Sequence, residues 1–179
     1  GNYMTKKVLI ISGSPRKNGN SDILCSQFSK GAKEIGHDIE TITIRNLDNH
    51  PCIACYSCRK TNACFQKDDM NEVLEKMITA DIIVLATPVY FYSMDAQMKM
   101  LIDRTLPRYT EIRNKDFYFI VTAAASPMMM ERTVEGLRGF LDCLPNANEK
   151  GIVYGQAWQL GEINGTPAME EAYRMGLKC

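Results

Sequence analysis

A loop rich in glycine, hydroxyl and amide side chains follows the first apolar run of the chain. The run covers residues 8–11, and residues 22–35 after the loop have the apolar spacing of an amphipathic helix. A strand, a glycine-rich turn and a helix start present free backbone N–H groups to an anion. Short polar side chains and one arginine, which can pair with two phosphate oxygens, add further donors. The candidate phosphate ligands are Ser12, Ser14, Arg16, Asn18, Asn20 and Ser21.

This loop matches neither of the two most familiar phosphate-binding patterns. The nucleoside-triphosphate loop has four residues between its glycines and then Lys-Ser or Lys-Thr, whereas five residues separate Gly13 from Gly19. The dinucleotide fingerprint of three spaced glycines is also missing from the sequence. Two interpretations stay open for the loop alone: a hydroxyl-lined site for one terminal phosphate, and an ordinary strand-to-helix turn with a capped helix.

A second unusual segment follows the strongly apolar residues 81–86. Residues 87–93 read Thr-Pro-Val-Tyr-Phe-Tyr-Ser and hold three consecutive aromatic side chains. At the ligand end of a sheet, such rings and their backbone amides suit a flat ring system. The alternative is that they pack on the sheet or form a subunit contact. A phosphate loop with an aromatic loop predicts a mononucleotide with a large planar ring. FMN fits better than an adenine nucleotide, because no acidic residue for a ribose diol stands at the expected distance after the second strand.

Four cysteines occur between residues 46 and 67. Their spacing, C-x2-C-x2-C-x5-C, is compact and typical of the ligands of an iron–sulfur cluster. A structural zinc site usually has two separated pairs of ligands, and His50 is the only histidine nearby. The spacing therefore favours an iron–sulfur cluster over zinc. A reduced loop without metal, or one with an occasional disulfide, is the other interpretation. The candidate cluster ligands are Cys52, Cys55, Cys58 and Cys64.

The elements around these segments predict an α/β fold, a doubly wound five-stranded parallel sheet in three α/β/α layers. The predicted strands are residues 6–11, 37–45, 81–86, 117–123 and 151–157, and the predicted helices are residues 22–35, 70–78, 95–106, 131–144 and 167–177. The expected strand order is 2-1-3-4-5, with its switch point between the first and third strands. Both unusual loops follow these two strands, so we expect them to meet at one site.

The composition is typical of one globular domain, which we place at residues 4–179 with residues 46–67 as a cysteine-rich loop insertion. Lys plus Arg and Asp plus Glu both number 21, so the charge gives no reason to expect nucleic acid or a membrane surface as a partner. The chain starts with a strand-like run rather than a signal peptide, and seven cysteines then favour thiols or metal ligands over disulfides. We therefore expect a cytoplasmic protein.

Three segments together resemble the NADPH-dependent FMN reductase and iron–sulfur flavoprotein group of the flavodoxin-like superfamily. These are residues 12–21, residues 87–93 and the Leu-Ile-Asp-Arg of residues 101–104, and the resemblance runs over most of residues 6–144. It implies a flavodoxin-like fold, FMN as cofactor, NADPH or NADH as co-substrate, and a homodimer or homotetramer. The cysteine spacing is also similar to the cluster motif of the iron–sulfur flavoproteins, which implies a 4Fe-4S cluster.

The resemblance also implies which residues hold the flavin. It assigns the phosphate to Ser12, Ser14, Arg16, Asn20 and Ser21, and the isoalloxazine ring to Pro88, Val89, Tyr90, Phe91 and Ser93. A third contact comes from the loop after the fourth strand, here at Ala124, where relatives often have glycine. We assign no catalytic side chain, because the flavin carries the chemistry.

The predicted function is that of an FMN-dependent oxidoreductase that passes electrons from NAD(P)H to a quinone, another small-molecule acceptor or a redox partner protein, with the 4Fe-4S cluster as a possible relay. Two alternatives belong to other classes. One is a non-enzymatic electron carrier, against which the zero net charge counts because such carriers tend to be acidic. The other is a regulatory protein that senses redox state through the cysteine loop.

Overall fold

Six strands form the sheet in residues 4–179, the part of the chain that the computed structural model describes. They are β1 (Lys7–Ser12), β2 (Asp38–Thr43), β3 (Ile82–Tyr90), β4 (Ser93–Met94), β5 (Lys115–Ala123) and β6 (Ala147–Gln156). Five of them run parallel in the order β2-β1-β3-β5-β6, and β4 pairs antiparallel with the end of β3.

Helices cover both faces of this sheet. They are α1 (Asn20–Glu34), α2 (Cys58–Thr61), α3 (Met70–Thr79), α4 (Ala96–Asp103), α5 (Pro127–Asp142) and α6 (Pro167–Lys178), with 3-10 segments at Ile44–Asn46 and Leu106–Glu111. Apolar residues of α1 and α6 pack on one face, and those of α3, α4 and α5 pack on the other. No helix in the described residues is long and apolar enough to cross a membrane.

The unbroken apolar run of β1 follows from this double cover. Successive side chains of a strand point to opposite faces, so Val8 and Ile10 join the core under α1 and α6, whereas Leu9 and Ile11 join the core under α3, α4 and α5. All four side chains are buried. A parallel strand covered on both faces has no solvent side that would favour polar residues.

Close contact between α1 and α6 fixes the helix that begins at the phosphate loop. A Cβ atom at Gly31 would lie 2.2 Å from the carbonyl oxygen of Tyr173, and one at Gly176 would lie 2.1 Å from that of Phe28. Any side chain at either glycine would therefore collide with backbone and force the helices apart. The two glycines let α1 lie against α6 at backbone distance.

The predicted α/β class and the helices on both faces are confirmed, but the five-strand count is wrong. Residues 87–94 were predicted as a loop, whereas β3 continues to Tyr90 and turns back into β4. The predicted order 2-1-3-4-5 becomes β2-β1-β3-β5-β6 with β4 outside the path. The end of β3 extends beyond its parallel neighbours, and its backbone groups there pair with β4 instead.

Candidate functional site

A cleft of about 310 Å³ opens at the carboxyl ends of β1, β3, β5 and β6. This is the sheet edge at which parallel α/β folds bind ligands, and the volume lies within the range of small-molecule sites. Four chain segments contribute its walls. The lining residues are Ser14, Arg16, Asn20, Ser21, Pro88, Val89, Tyr90, Thr122, Ala123, Ala124, Ala157 and Trp158.

The loop between β1 and α1 is held at the floor of this cleft. The Gly13 N–H donates to the carbonyl oxygen of Ala86 at 2.8 Å, which ties the loop to β3. A Cβ atom at Gly13 would lie 2.9 Å from Asp95 Oδ1, so a larger residue would not fit here. The Ser14 hydroxyl donates to the carbonyl oxygen of Arg16 at 2.8 Å and closes the turn. The loop is therefore rigid before any ligand arrives.

The start of α1 supplies donors toward an anion. Its N-cap residue is Gly19, and no side chain caps the helix. First-turn N–H groups have no acceptor inside the helix and carry a partial positive charge. Arg16 is exposed and lines the same cleft. An exposed cation and a helix N-terminus thus lie together, the combination that suits a phosphate.

A partly buried chain of hydrogen bonds behind the loop begins at Ser12, which does not line the cleft. The Ser12 hydroxyl donates to Asp22 Oδ1 at 2.6 Å, and Asp22 Oδ2 pairs with Arg45 Nη1 at 3.0 Å. The same Arg45 nitrogen donates to the carbonyl oxygen of Ser14 at 3.1 Å. Sequence reasoning missed Arg45. The sequence indicates this residue only as a cation at the carboxyl end of the second predicted strand, on the ligand edge of the sheet.

Asn20 and Ser21 line the cleft, but their side chains already have partners. The Asn20 amide donates to the carbonyl oxygen of Gln159 at 3.0 Å and accepts from the Ile163 N–H at 3.2 Å. The Ser21 hydroxyl lies 2.8 Å from the Thr122 hydroxyl. These side chains join α1 to β5 and to the segment after β6, which leaves their backbone N–H groups to face a ligand.

The second wall is the hairpin formed by β3 and β4. Its two tip residues, Phe91 and Tyr92, have φ values of 50° and 62°, in the region that a two-residue hairpin needs and that bulky residues rarely adopt. Phe91 is fully exposed, and neither Phe91 nor Ser93 lines the cleft. Tyr90, just before the tip, is half-exposed at the rim.

Asp95 connects the hairpin to the phosphate loop from below. It is only 1% exposed and caps α4, with Oδ1 accepting from the Met98 N–H at 3.0 Å and from the Thr87 hydroxyl at 3.3 Å. Its Oδ2 has no hydrogen-bond partner. Burial therefore raises the pKa of Asp95 to about 6, although the bonds to Met98 and Thr87 oppose the shift.

The four candidate cluster ligands line one small recess on a different part of the surface. Apolar side chains form much of its wall, among them Ile53, Phe65, Leu106 and Pro107. All four thiols are free. Within residues 4–179, no group of three or more His, Cys, Asp or Glu is arranged to hold a single metal ion. In a cubane each thiolate binds its own iron, so four thiols around one recess fit a 4Fe-4S cluster chemically.

Two local features support the recess. The Ser57 hydroxyl lies 3.2 Å from Cys55 Sγ, and this hydrogen bond lowers the pKa of the exposed Cys55 thiol. Cysteine binds metal as the thiolate, so the shift favours the ligating form. Behind the recess, Arg104 donates from Nη1 and Nη2 to the two carboxylate oxygens of Asp68 at 2.8 and 2.9 Å. This pair fastens the end of α4 to the start of α3, and Arg104 Nη1 also donates to the carbonyl oxygen of His50 in the cysteine loop at 2.7 Å.

Comparison with known families decides the identity. The profile of the NADPH-dependent FMN reductases matches residues 6–153. The chain belongs to the NADPH-dependent FMN reductase family.

The chain is also similar to individual curated proteins. It is 33% identical over 172 residues to an iron-sulfur flavoprotein of Methanosarcina thermophila, a match covering 94% of this chain and 87% of that protein. It is 37% identical over 136 residues to an iron-sulfur flavoprotein of Methanocaldococcus jannaschii, covering 75% and 70%. The resemblance predicted from the sequence is confirmed.

Solved structures show the same fold for this FMN reductase family member. A flavone reductase has a TM-score of 0.73 and 23% identity, and the match covers 96% of this chain but only 60% of that chain. An FMN-dependent NADH-azoreductase from Bacillus anthracis, solved in complex with FMN, has a TM-score of 0.74 and 16% identity, covering 96% and 98%. At such identities the likeness establishes the fold alone.

The cleft of the family member gathers most, but not all, of the predicted flavin contacts. Predicted residues in its lining are Ser14, Arg16, Asn20, Ser21, Pro88, Val89, Tyr90 and Ala124; predicted residues outside it are Ser12, Asn18, Phe91 and Ser93. Sequence reasoning missed Thr122, Ala157 and Trp158. Trp158 is the single tryptophan of the chain, 74% exposed at the rim, and its position just after the last predicted strand was the available signal.

Proposed function

We propose that this chain is an FMN-dependent NAD(P)H oxidoreductase and that the cleft beside the β3–β4 hairpin is its flavin site. One observation carries the proposal: an anion-binding corner and a wall of ring-contacting residues lie in a single cleft. FMN has one phosphate and one large planar ring, so it matches both ends. When bound, FMN supplies hydride acceptance and electron transfer.

In this proposal the residues divide between the two ends of the flavin. The Arg16 guanidinium and the N–H groups at the start of α1 bind the phosphate, and the Ser14 hydroxyl joins them by turning from the carbonyl oxygen of Arg16. Asn20 and Ser21 contribute backbone donors, because their side chains are engaged elsewhere. The ring lies against residues 88–90 on one side and Ala124 on the other. Backbone amides there would stabilise negative charge on the reduced ring.

The proposal includes a 4Fe-4S cluster on the four cysteines of the recess. Support comes from the apolar recess that the four thiols share and from relatives whose names describe them as iron-sulfur flavoproteins. The electrons would then leave to a quinone, to another small-molecule acceptor or to a redox partner protein. Seven free cysteines in the described residues favour a reducing compartment, so we place the protein in the cytoplasm.

We also propose a homodimer or homotetramer joined through the hairpin. Phe91 is fully exposed, and Tyr92, Met128 and Met129 are exposed as well. Phe91 and Tyr92 hold strained positive φ values to present these rings. Arg132 lies over the Tyr92 ring at 4.9 Å, so the start of α5 lies beside the hairpin. Large apolar side chains grouped on a surface mark interaction sites, and a second copy of this chain would bury them beside the cleft.

A second candidate function is redox sensing through the cysteine loop. The observation in its favour is Cys55, which is exposed and has a lowered pKa, the two properties of reactive thiols. In that role the thiols would change oxidation state without turnover of NADH or NADPH.

The first test is an absorbance spectrum of protein purified without oxygen, with iron and sulfide assayed on the same sample. Flavin bands with about four iron per chain support the two-cofactor oxidoreductase, and flavin bands without iron support an FMN reductase with a metal-free loop. No flavin, even after FMN is added, would overturn the proposal. Steady oxidation of NADH or NADPH with a quinone separates the enzyme from a carrier and from a sensor.

A further inference from the structure

The wall of the cysteine recess contains a buried cation. Arg104 is 3% exposed and lines the recess together with Cys52, Cys55, Cys58 and Cys64. It is the C-terminal neighbour of α4, so its backbone position is fixed by the helix rather than by the cysteine loop. A guanidinium buried at this depth must have a complete set of partners or lose stability.

Arg104 has partners for two of its three nitrogens. Nη1 donates to the carbonyl oxygen of His50 at 2.7 Å and to Asp68 Oδ2 at 2.8 Å, and Nη2 donates to Asp68 Oδ1 at 2.9 Å. Nε is buried and has no hydrogen-bond partner. An unsatisfied buried donor is unfavourable and rare in native proteins. The orphan Nε–H therefore points to an acceptor that completes the site.

The cysteine side of the recess is where that acceptor belongs. Arg104 lines the recess beside all four thiols, Cys64 among them. The other charged side chain in the wall is Asp103, which is exposed and paired with Lys99. Among the groups of the wall that can carry a negative charge, the cysteine thiolates are therefore the acceptors left for Nε.

We propose that Arg104 donates a hydrogen bond from Nε to a sulfur atom of the 4Fe-4S cluster, either a cysteine thiolate or an inorganic sulfide, and so raises the reduction potential of the cluster. This inference rests on the cluster of the proposed function. Hydrogen bonds to cluster sulfurs set reduction potentials, because they stabilise the more negative reduced state. Lysine cannot replace the arrangement, since only a guanidinium binds a carboxylate with two nitrogens and keeps a third donor.

The main test compares Arg104→Lys with Arg59→Lys after anaerobic reconstitution with iron and sulfide. Arg59 lies on the same loop, but it is exposed, stacks on Tyr56 and does not line the recess. The midpoint potential of the cluster is measured by titration followed by electron paramagnetic resonance. We expect Arg104→Lys to lower the equilibrium constant for reduction of the cluster at least tenfold, which is a fall of about 59 mV in the one-electron midpoint potential. We expect Arg59→Lys to leave the midpoint potential unchanged.

The outcomes separate this inference from the proposed function. Parent protein that binds FMN but takes up no iron overturns the cluster and this role of Arg104 with it. If the parent holds a cluster and its midpoint potential is unchanged in Arg104→Lys, only the role of Arg104 is overturned. Equal shifts in both variants also overturn it, because they would reflect the loss of arginine from the loop in general.

A measurement on the unaltered protein covers the case in which Arg104→Lys does not fold. Parent protein is labelled with ¹⁵N-arginine, reconstituted and reduced, and electron spin echo modulation then detects nitrogen coupled to the cluster. A ¹⁵N coupling that is present in the parent and retained in Arg59→Lys supports the hydrogen bond. A reduced cluster without any ¹⁵N coupling overturns it.

Discussion

Replacing Arg16 with alanine should weaken FMN binding about tenfold and leave riboflavin binding unchanged. A hydrogen bond from a charged group contributes ~1.5–3 kcal/mol. Arg16 is exposed, so the pair keeps contact with water, and ordering its flexible side chain costs up to ~2 kcal/mol. We therefore expect the lower end of the range, about 1.5 kcal/mol, which corresponds to roughly a tenfold increase in Kd.

The assay is a fluorescence titration of the apoprotein with FMN and, separately, with riboflavin, which lacks the phosphate. Lys17→Ala is the matched control, because Lys17 is the next residue, is exposed and carries the same charge, but does not line the cleft. The parent, the two variants and the two ligands together isolate the coupling between Arg16 and the phosphate. The coupling should also shrink at high salt, because the pair is open to solvent.

Two results would refute this reasoning. Equal loss of FMN and riboflavin affinity in Arg16→Ala would mean that Arg16 acts on the ring end or on the fold. Equal weakening of FMN binding by Lys17→Ala would mean that only the general positive charge of the loop matters. In either case the phosphate would have to lie elsewhere in the cleft.

Two further changes test the structure around the cleft. Asp95→Asn should flatten the pH dependence of the free energy of unfolding. Burial raises the Asp95 pKa from the ordinary 3.8 to about 6, so the folded parent binds the proton more tightly than the unfolded chain does. The parent therefore gains roughly 2–3 kcal/mol of stability as the pH falls from above the folded pKa to the unfolded pKa. Urea unfolding between pH 4 and pH 7 measures this. The double variant Phe91→Asn/Tyr92→Gly should dissociate the oligomer, as measured by sedimentation velocity, because it removes both exposed rings. The monomer should not lose stability, because the change relieves ~1–2 kcal/mol of backbone strain per residue.

Each change has a contradicting outcome. For Asp95 the control is Asp103→Asn, an exposed carboxylate of the same helix, and an Asp95→Asn variant that keeps the pH slope of the parent would contradict the buried titration. For the hairpin, a double variant that sediments as the parent does would remove Phe91 and Tyr92 from the proposed subunit contact. A monomer that unfolds more easily would instead contradict the strain at the tip.

The alternation of strand and helix patterns was enough to predict the α/β class and the sheet edge that carries the cleft. Local patterns suffice here because, in a chain that alternates strand and helix patterns, an apolar run such as residues 8–11 fits a parallel strand covered by helices on both faces. The rule for parallel sheets then brings the ends of β1 and β3 together without any knowledge of side-chain contacts.

Partners that are distant in the chain could not be predicted in this way. The sequence shows that Asn20 is a donor, but not that Gln159 and Ile163 use both ends of its amide. It shows an arginine at residue 45, but not that the guanidinium supports the carbonyl oxygen of Ser14. Such contacts depend on how whole elements pack, and a residue's type gives no information about its neighbour across the fold.

Residue types and spacing are enough to identify the chemistry that this protein offers: a loop for a phosphate, an aromatic segment for a flat ring and four thiols at cluster spacing. Which of these groups are free to act depends on how the elements pack. Packing of α1 on β5 and on the segment after β6 engages the side chains of Asn20 and Ser21, and packing of the cysteine loop on α4 leaves the Arg104 Nε without a partner. Burial and distance set these differences, because a buried donor must find its acceptor within hydrogen-bond reach.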